Sequence, residues 1–309
     1  MTSVARSNFV AGIQAFDVAL ANRFVIAGTP EAEFVRRGLN VAVYNLLETF
    51  VSERASELAA YINSGHLGFN DLPEAMQRRS VKNVLSVAAA KVRHVDAVDL
   101  MTFIEPVGQS LAAVRGPVKL SGLIWAWTGS NMQGDDYFGA LRSLHVKEPG
   151  TAVREISGFL KFGTQDISGN DLNVKLELES FAASRHQAAH DSRYSATVLW
   201  LTNASMTARK LAIGFDALAS ASAFLLRAGD QAFLQDPLFM SAQKVPVRRV
   251  EKRQRDFAAY RPGAVNAYKV DTNEAVLFKA AIAQSASNEL VVLFGRNGTV
   301  VDWSFPAVG

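Results

Sequence analysis

Residues 31–62 read EAEFVRRGLNVAVYNLLETFVSERASELAAYI. Val35, Leu39, Val43, Leu46, Leu47, Phe50, Val51, Leu58 and Ile62 recur at three- and four-residue steps. That spacing lays them along one stripe of an α-helix, and a stripe this long needs an equally long apolar partner. Gly28-Thr29-Pro30 breaks the pattern before it and Asn63-Ser64-Gly65 ends it. The expected fold class is therefore mainly α.

Working outward, residues 1–27 carry Phe9, Ile13, Phe16, Val18, Leu20 and Phe24 at helical spacing. LPEAMQRRSVKNVLSVAAAKV predicts another helix, with Pro73 suited to its first turn. Residues 96–115 predict a further one. Residues 116–134, rich in Gly, Ser and Trp, read as an irregular excursion or a short strand, and shorter helices follow near 136–145 and 151–162. In SGNDLNVKLELESFAASRHQAAHD the apolar residues alternate for a while, but the leucines and glutamates favour helix, with Asn170 and Asp171 as caps. MTARKLAIGFDALASASAFLLRAGD predicts a strong helix capped by Ser205.

Composition changes near residue 241. Between 244 and 261 seven basic residues face two acidic ones, an excess larger than the net charge of +3 on the whole chain. This run reads either as a solvated linker helix or as a track for phosphates. Beyond it, AVNAYKV, AVLFKAAIAQ, ELVVLFG and TVVDWSF are short β-rich runs, and Asn297-Gly298 marks a hairpin. The expected organisation is a helical domain over 1–240 with an insert at about 73–165, a basic linker over 241–263, and a small β-rich module, a meander, over 264–309.

The 309 residues, 49% of them hydrophobic, can bury a sizeable core. There are no cysteines, which excludes disulfides, thiolate metal sites and cysteine nucleophiles, and fits a reducing cytoplasm. The N-terminus lacks the apolar run of a signal peptide, and no stretch approaches about 18 uninterrupted apolar residues, so no membrane span is expected. A P-loop, a strand-linked G-x-G-x-x-G and a G-x-S-x-G elbow are all missing. His66, His94 and His145 stand alone. Asp135-Asp136 follows Gly134, where capping a helix is the simpler role. No metal and no cofactor are assigned.

That leaves residues 185–190, RHQAAH, followed by Asp191. Spacing alone carries nothing: 21 arginines and five histidines predict about one arginine–histidine pair at this separation by chance. Context carries more. The stretch follows an amphipathic helix that ends in small residues, and it precedes another helix. His186 adds a second polar group beside Arg185.

RHQAAHD resembles the signature of HEPN-domain proteins: an arginine, four to six residues, then a histidine, often as R-[N/H/D]-x-x-A-H. It is similar to the RiboL-PSP branch, which runs long helix, variable insert, helix, motif, helix. Here these would be 31–62, 73–165, 170–184, 185–190 and 206–229. The sharp match covers about seven residues, and the helical order extends the likeness over roughly 30–230. Ala188 stands where a larger aliphatic residue is common. Some HEPN toxins carry a modified tyrosine two residues after the histidine. Tyr194 lies four residues after His190, so that regulation does not carry over.

The resemblance implies a HEPN-type helical bundle and a metal-independent endoribonuclease, acting as a toxin or antiviral defence effector. It would cut RNA by attack of the 2′-hydroxyl, leaving a 2′,3′-cyclic phosphate and a 5′-hydroxyl. Histidine titrates near neutral pH and can move the protons, and arginine holds the phosphate as negative charge builds. Arg185 and His190 would be catalytic. His186, Asp191 and Glu48 would support them, although Glu48 could equally be a surface glutamate. Arg193, Arg248, Arg249 and Arg253 would contact the RNA backbone. On an ideal helix five residues turn about 500°, leaving Arg185 and His190 about 140° apart. A homodimer with a composite site, as the resemblance implies, would remove that difficulty. An antitoxin or sensor partner would fit such a role. The alternative is a non-catalytic HEPN interaction or nucleic-acid-binding module.

Overall fold

A computed structural model describes residues 3–113, 116–129, 131–160, 172–296 and 298–308. It is mainly α, with a small mixed sheet at the C-terminal end. The helices are α1 (Val4–Leu20), α2 (Arg23–Ile26), α3 (Pro30–Asn63), α4 (Glu74–Arg78), α5 (Val84–Lys91), α6 (Leu100–Ala112), α7 (Gly134–Ser143), α8 (Pro149–Leu160), α9 (Val174–His190), α10 (Val198–Ala228), α11 (Gln231–Gln235) and α12 (Glu274–Ala283).

The 31–62 stripe becomes α3. Thr29 accepts from the Ala32 N–H and Pro30 occupies the first turn, so one orphan N–H is capped and another is absent. The apolar stripe is buried against α1, α9 and α10. Helix α10 is buried almost all round between Lys210 and Ala223. It is apolar enough to cross a membrane by length and composition, but 78% of that window is buried inside the protein. Its apolarity is therefore spent on the core. Gly229, at φ +66°, ends it in the left-handed turn that glycine adopts freely.

Two caps differ from expectation. Helix α9 is capped by Asn173, whose side chain accepts from the Leu176 N–H; Asn170 and Asp171 lie outside the described residues. Helix α10 starts earlier than expected, on Thr197. Ser205 sits inside it and donates to Asp17 of α1. The Asp135-Asp136 pair does open a helix: Asp136 accepts from the Gln133 N–H at the start of α7.

The C-terminal sheet holds β1 (Val247–Lys252), β2 (Phe257–Tyr260), β3 (Lys269–Asp271), β4 (Leu290–Phe294) and β5 (Val300–Ser304) in the order β3-β2-β1-β4-β5. It is not a meander, because β1 and β4 pair in parallel. A parallel pair needs a crossover, and α12 supplies it. That helix comes from AVLFKAAIAQ, so apolar on every side that period alone does not separate helix from strand. Nor is the basic run a linker: it forms the β1–β2 hairpin, with Arg249 opposite Tyr260 and Lys252 opposite Phe257. Strand β4 is buried on both faces. Leu290, Val292 and Phe294 join the helical core, while Val291 and Leu293 pack with Leu277, Phe278 and Ala281 of α12.

Candidate active site

The whole of RHQAAH lies in the last two turns of α9, and Asp191 caps the end. The motif therefore does not bend around a helix start. The ideal-helix angle applies, and the structure shows its consequence. Arg185 turns inward and is half-buried, while His186 and His190 are exposed. Within one chain the arginine and His190 do not aim at a common point.

Inward of Arg185 lies a polar stripe on α3. Arg36, Asn40, Tyr44 and Glu48 recur every four residues, so they share one face. Arg36 donates to the carbonyls of Ala196, Val25 and Ala27. Asn40 donates to the Ser184 carbonyl and hydroxyl and to the Tyr194 hydroxyl, and Ser184 and Tyr194 hydroxyls lie 2.6 Å apart. Arg37, beside the stripe, donates to the Ser192 carbonyl. Together these bonds fix the end of α9 and the turn behind the motif to the N-terminal half of α3.

Tyr44 and Glu48 form the floor. Tyr44 donates to the Met132 carbonyl at 2.6 Å, and Glu48 accepts from the Met132 N–H, so the two side chains hold both backbone polar groups of one residue before α7. Burial raises the pKa of Glu48, and the Met132 N–H, the Tyr44 hydroxyl and the positive charge of Arg185 pull it back only in part. Burial, then Glu48, pushes the Tyr44 phenol above its ordinary value. Glu48 is thus a half-buried carboxylate under the influence of Arg185, not a surface glutamate.

Arg185 makes no hydrogen bond among the described residues, and its buried Nε–H is unpaired. Asn131, next to Met132, likewise has an unpaired buried side-chain oxygen, as does Asn40. Buried polar atoms without partners are uncommon. Three of the six among the described residues lie on this stripe, on the clamped segment or on the motif arginine. The arrangement holds a charged donor ready for an oxyanion, backed by a carboxylate that limits the cost of burying it.

The other expected site residues separate into groups. Asp191 does not face the histidines. It accepts from the Arg193 N–H at 2.9 Å and lies 3.7 Å from the Arg193 guanidinium, which offsets a carboxylate at a helix C-terminus. Arg193 itself is 92% exposed in its side chain, directly behind the motif. Arg248 is buried, 2.6 Å from Glu289 and over the Tyr268 ring. It belongs to the core of the β module and is no phosphate contact. Arg249 pairs with Glu251, and Arg253 takes Asp256 with two hydrogen bonds. Three of the seven cations of the basic run are thus paired with carboxylates, and the run lies on the sheet rather than on α9. Tyr44, Asn40 and Asn131 were not singled out from sequence. The four-residue step of Arg36, Asn40, Tyr44 and Glu48 along α3 was a readable signal for the first two.

Neither a family model nor a curated protein nor a solved structure matches the chain.

Proposed function

We propose that the chain is a metal-independent endoribonuclease of HEPN type, acting in the cytoplasm as a toxin or defence effector, with RNA as substrate. The reading rests on RHQAAHD and on one structural observation: Arg185 is half-buried and without a hydrogen bond among the described residues, within electrostatic reach of Glu48, at the base of a helix tip that presents His186 and His190 to solvent. Arg185 would bind a phosphate oxygen and steady the charge that develops as the 2′-hydroxyl attacks. His190 would take or give the proton. Arg193 would meet the flanking backbone.

Because Arg185 and His190 diverge on one helix, the working cleft would be shared by two chains, each offering its own pair. That divergence also favours the second reading, a HEPN module that binds without cutting. Cleavage of an RNA oligonucleotide in excess chelator separates the two. The wild type should cut RNA, spare the matching DNA and leave 2′,3′-cyclic phosphate ends. His190→Ala should lose about 100-fold or more in rate while keeping its helical circular dichroism. Mixing Arg185→Ala with His190→Ala should restore activity if the cleft is shared. A wild type that binds RNA without cutting it supports the second reading. Two variants that each cut normally overturn both.

A further inference from the structure

The tip of α9 carries a feature that proton transfer alone does not require. His186 and His190 are one turn apart on the same exposed face, with ring centres 4.6 Å apart and planes at 50°. Neither imidazole hydrogen-bonds to any described residue. We infer that this pair chelates one divalent cation of the zinc, nickel or copper class.

The geometry suits that ligand. Two imidazoles bound to one ion at about 2.1 Å place their ring centres about 4.5 Å apart at the right angles of square-planar or octahedral sites, and about 5.3 Å apart in a tetrahedral one. At 4.6 Å the pair already matches the first and lies within about 1 Å of the second, so binding needs rotation of two exposed side chains and no movement of the helix. Imidazole nitrogen prefers borderline cations, whereas magnesium and calcium prefer oxygen. The ion would also sit at the negative end of the α9 dipole. The nearby Arg193 charge is offset by Asp191.

Competition from the rest of the chain is small. It has no cysteines, His145 gives its Nδ1 to the Phe233 carbonyl, and His66 and His94 are isolated. Among the described residues no cluster of three or more metal-ligating side chains exists. Two protein ligands, with water completing the shell, describe an exchangeable site and not a structural one. Its occupancy would withdraw the His190 nitrogen from proton transfer. The cation would then act as an inhibitor and not a cofactor, a consequence that rests on the ribonuclease reading; the binding itself does not.

The test is isothermal titration of the full, untagged chain with zinc and nickel chlorides, and with magnesium chloride as control. Binding of one zinc or nickel ion per chain, no heat from magnesium, and affinity at least about tenfold weaker in His186→Ala and in His190→Ala support the site. Equal affinity in wild type and both variants, or no binding to wild type at millimolar metal, overturns it and leaves a ring contact on a helix surface. RNA cleavage supplies a second arm. The zinc concentration that halves each protein's own rate should rise about tenfold or more in His186→Ala. Zinc that binds the pair of a wild type inert toward RNA under every condition upholds the metal site and sinks the ribonuclease reading. Cleavage that zinc leaves untouched at saturation of the pair removes the inhibitory role.

Discussion

Helix α3 carries two buried arginine neighbourhoods that face different ways. At its C-terminal half Arg54 is fully buried, 2.6 Å from Asp216, and hydrogen-bonded to Glu57 and Ser220. Asp216 also accepts from Ser220 and from the Trp303 indole, Glu57 accepts from Ser3, and Arg6 donates to the Trp303 carbonyl. Burial works against the charge of Arg54, and Asp216 and Glu57 outweigh it, so its pKa is raised. Around Tyr44 and Glu48 the arginine comes from α9, is only half-buried and finds no hydrogen bond. A network in which every polar group of Arg54 and Asp216 named above is paired, and in which the Arg6 Nε alone lacks a hydrogen bond, joins α1, α3, α10 and β5 and holds the sheet to the bundle. An unsatisfied one is where binding energy remains available to a ligand.

The sharpest way to break this contrast is to treat the two arginine sites alike. Asp216→Ala leaves Arg54 charged, buried and short of a partner, and should cost about 3–5 kcal/mol in urea unfolding. Arg185→Met keeps the volume and removes a cation that has no hydrogen bond to lose. It should leave stability within about 1 kcal/mol while abolishing RNA cleavage or binding. Equal losses of stability would make Arg185 structural and remove the site.

The same contrast divides the basic hairpin. Arg248→Ala strands Glu289, whose side chain is 12% exposed, and should cost about 2 kcal/mol. Arg253→Ala breaks an exposed pair with Asp256 and should leave the unfolding midpoint within error. If the two variants weaken RNA binding equally and neither alters stability, the run is a phosphate track after all.

The mainly helical class was legible because long amphipathic stripes such as that of α3 admit one reading. Burial of Arg248 was not, because its partner Glu289 is 41 residues away and nothing local marks the pair. Charges at 248, 249, 251 and 252 hid the two-residue alternation of β1. Helix α12 was misread for the opposite reason, since apolar residues on every side erase any period. At the candidate site, the divergence of Arg185 and His190 followed from helix geometry alone. The closure of Met132 onto Tyr44 and Glu48 did not, because it joins residues more than 80 positions apart.

Glu48 offers the subtlest test. Its pKa is raised above the ordinary 4.5, first by burial. A raised carboxylate contributes stability that is fully present below the unfolded value and is lost as pH rises through the folded one. Glutamine does not titrate and can still accept from Met132. The stability of Glu48→Gln relative to wild type should therefore increase from pH 4.5 upward and level off once the folded Glu48 is ionised. Urea unfolding across that range measures it. The opposite slope, with glutamine progressively worse toward neutral pH, would mean that Arg185 stabilises the Glu48 carboxylate more than burial penalises it. Arg185 would then be held as Arg54 is held, its charge committed to the fold, and the difference between the two arginines would be one of exposure and not of function.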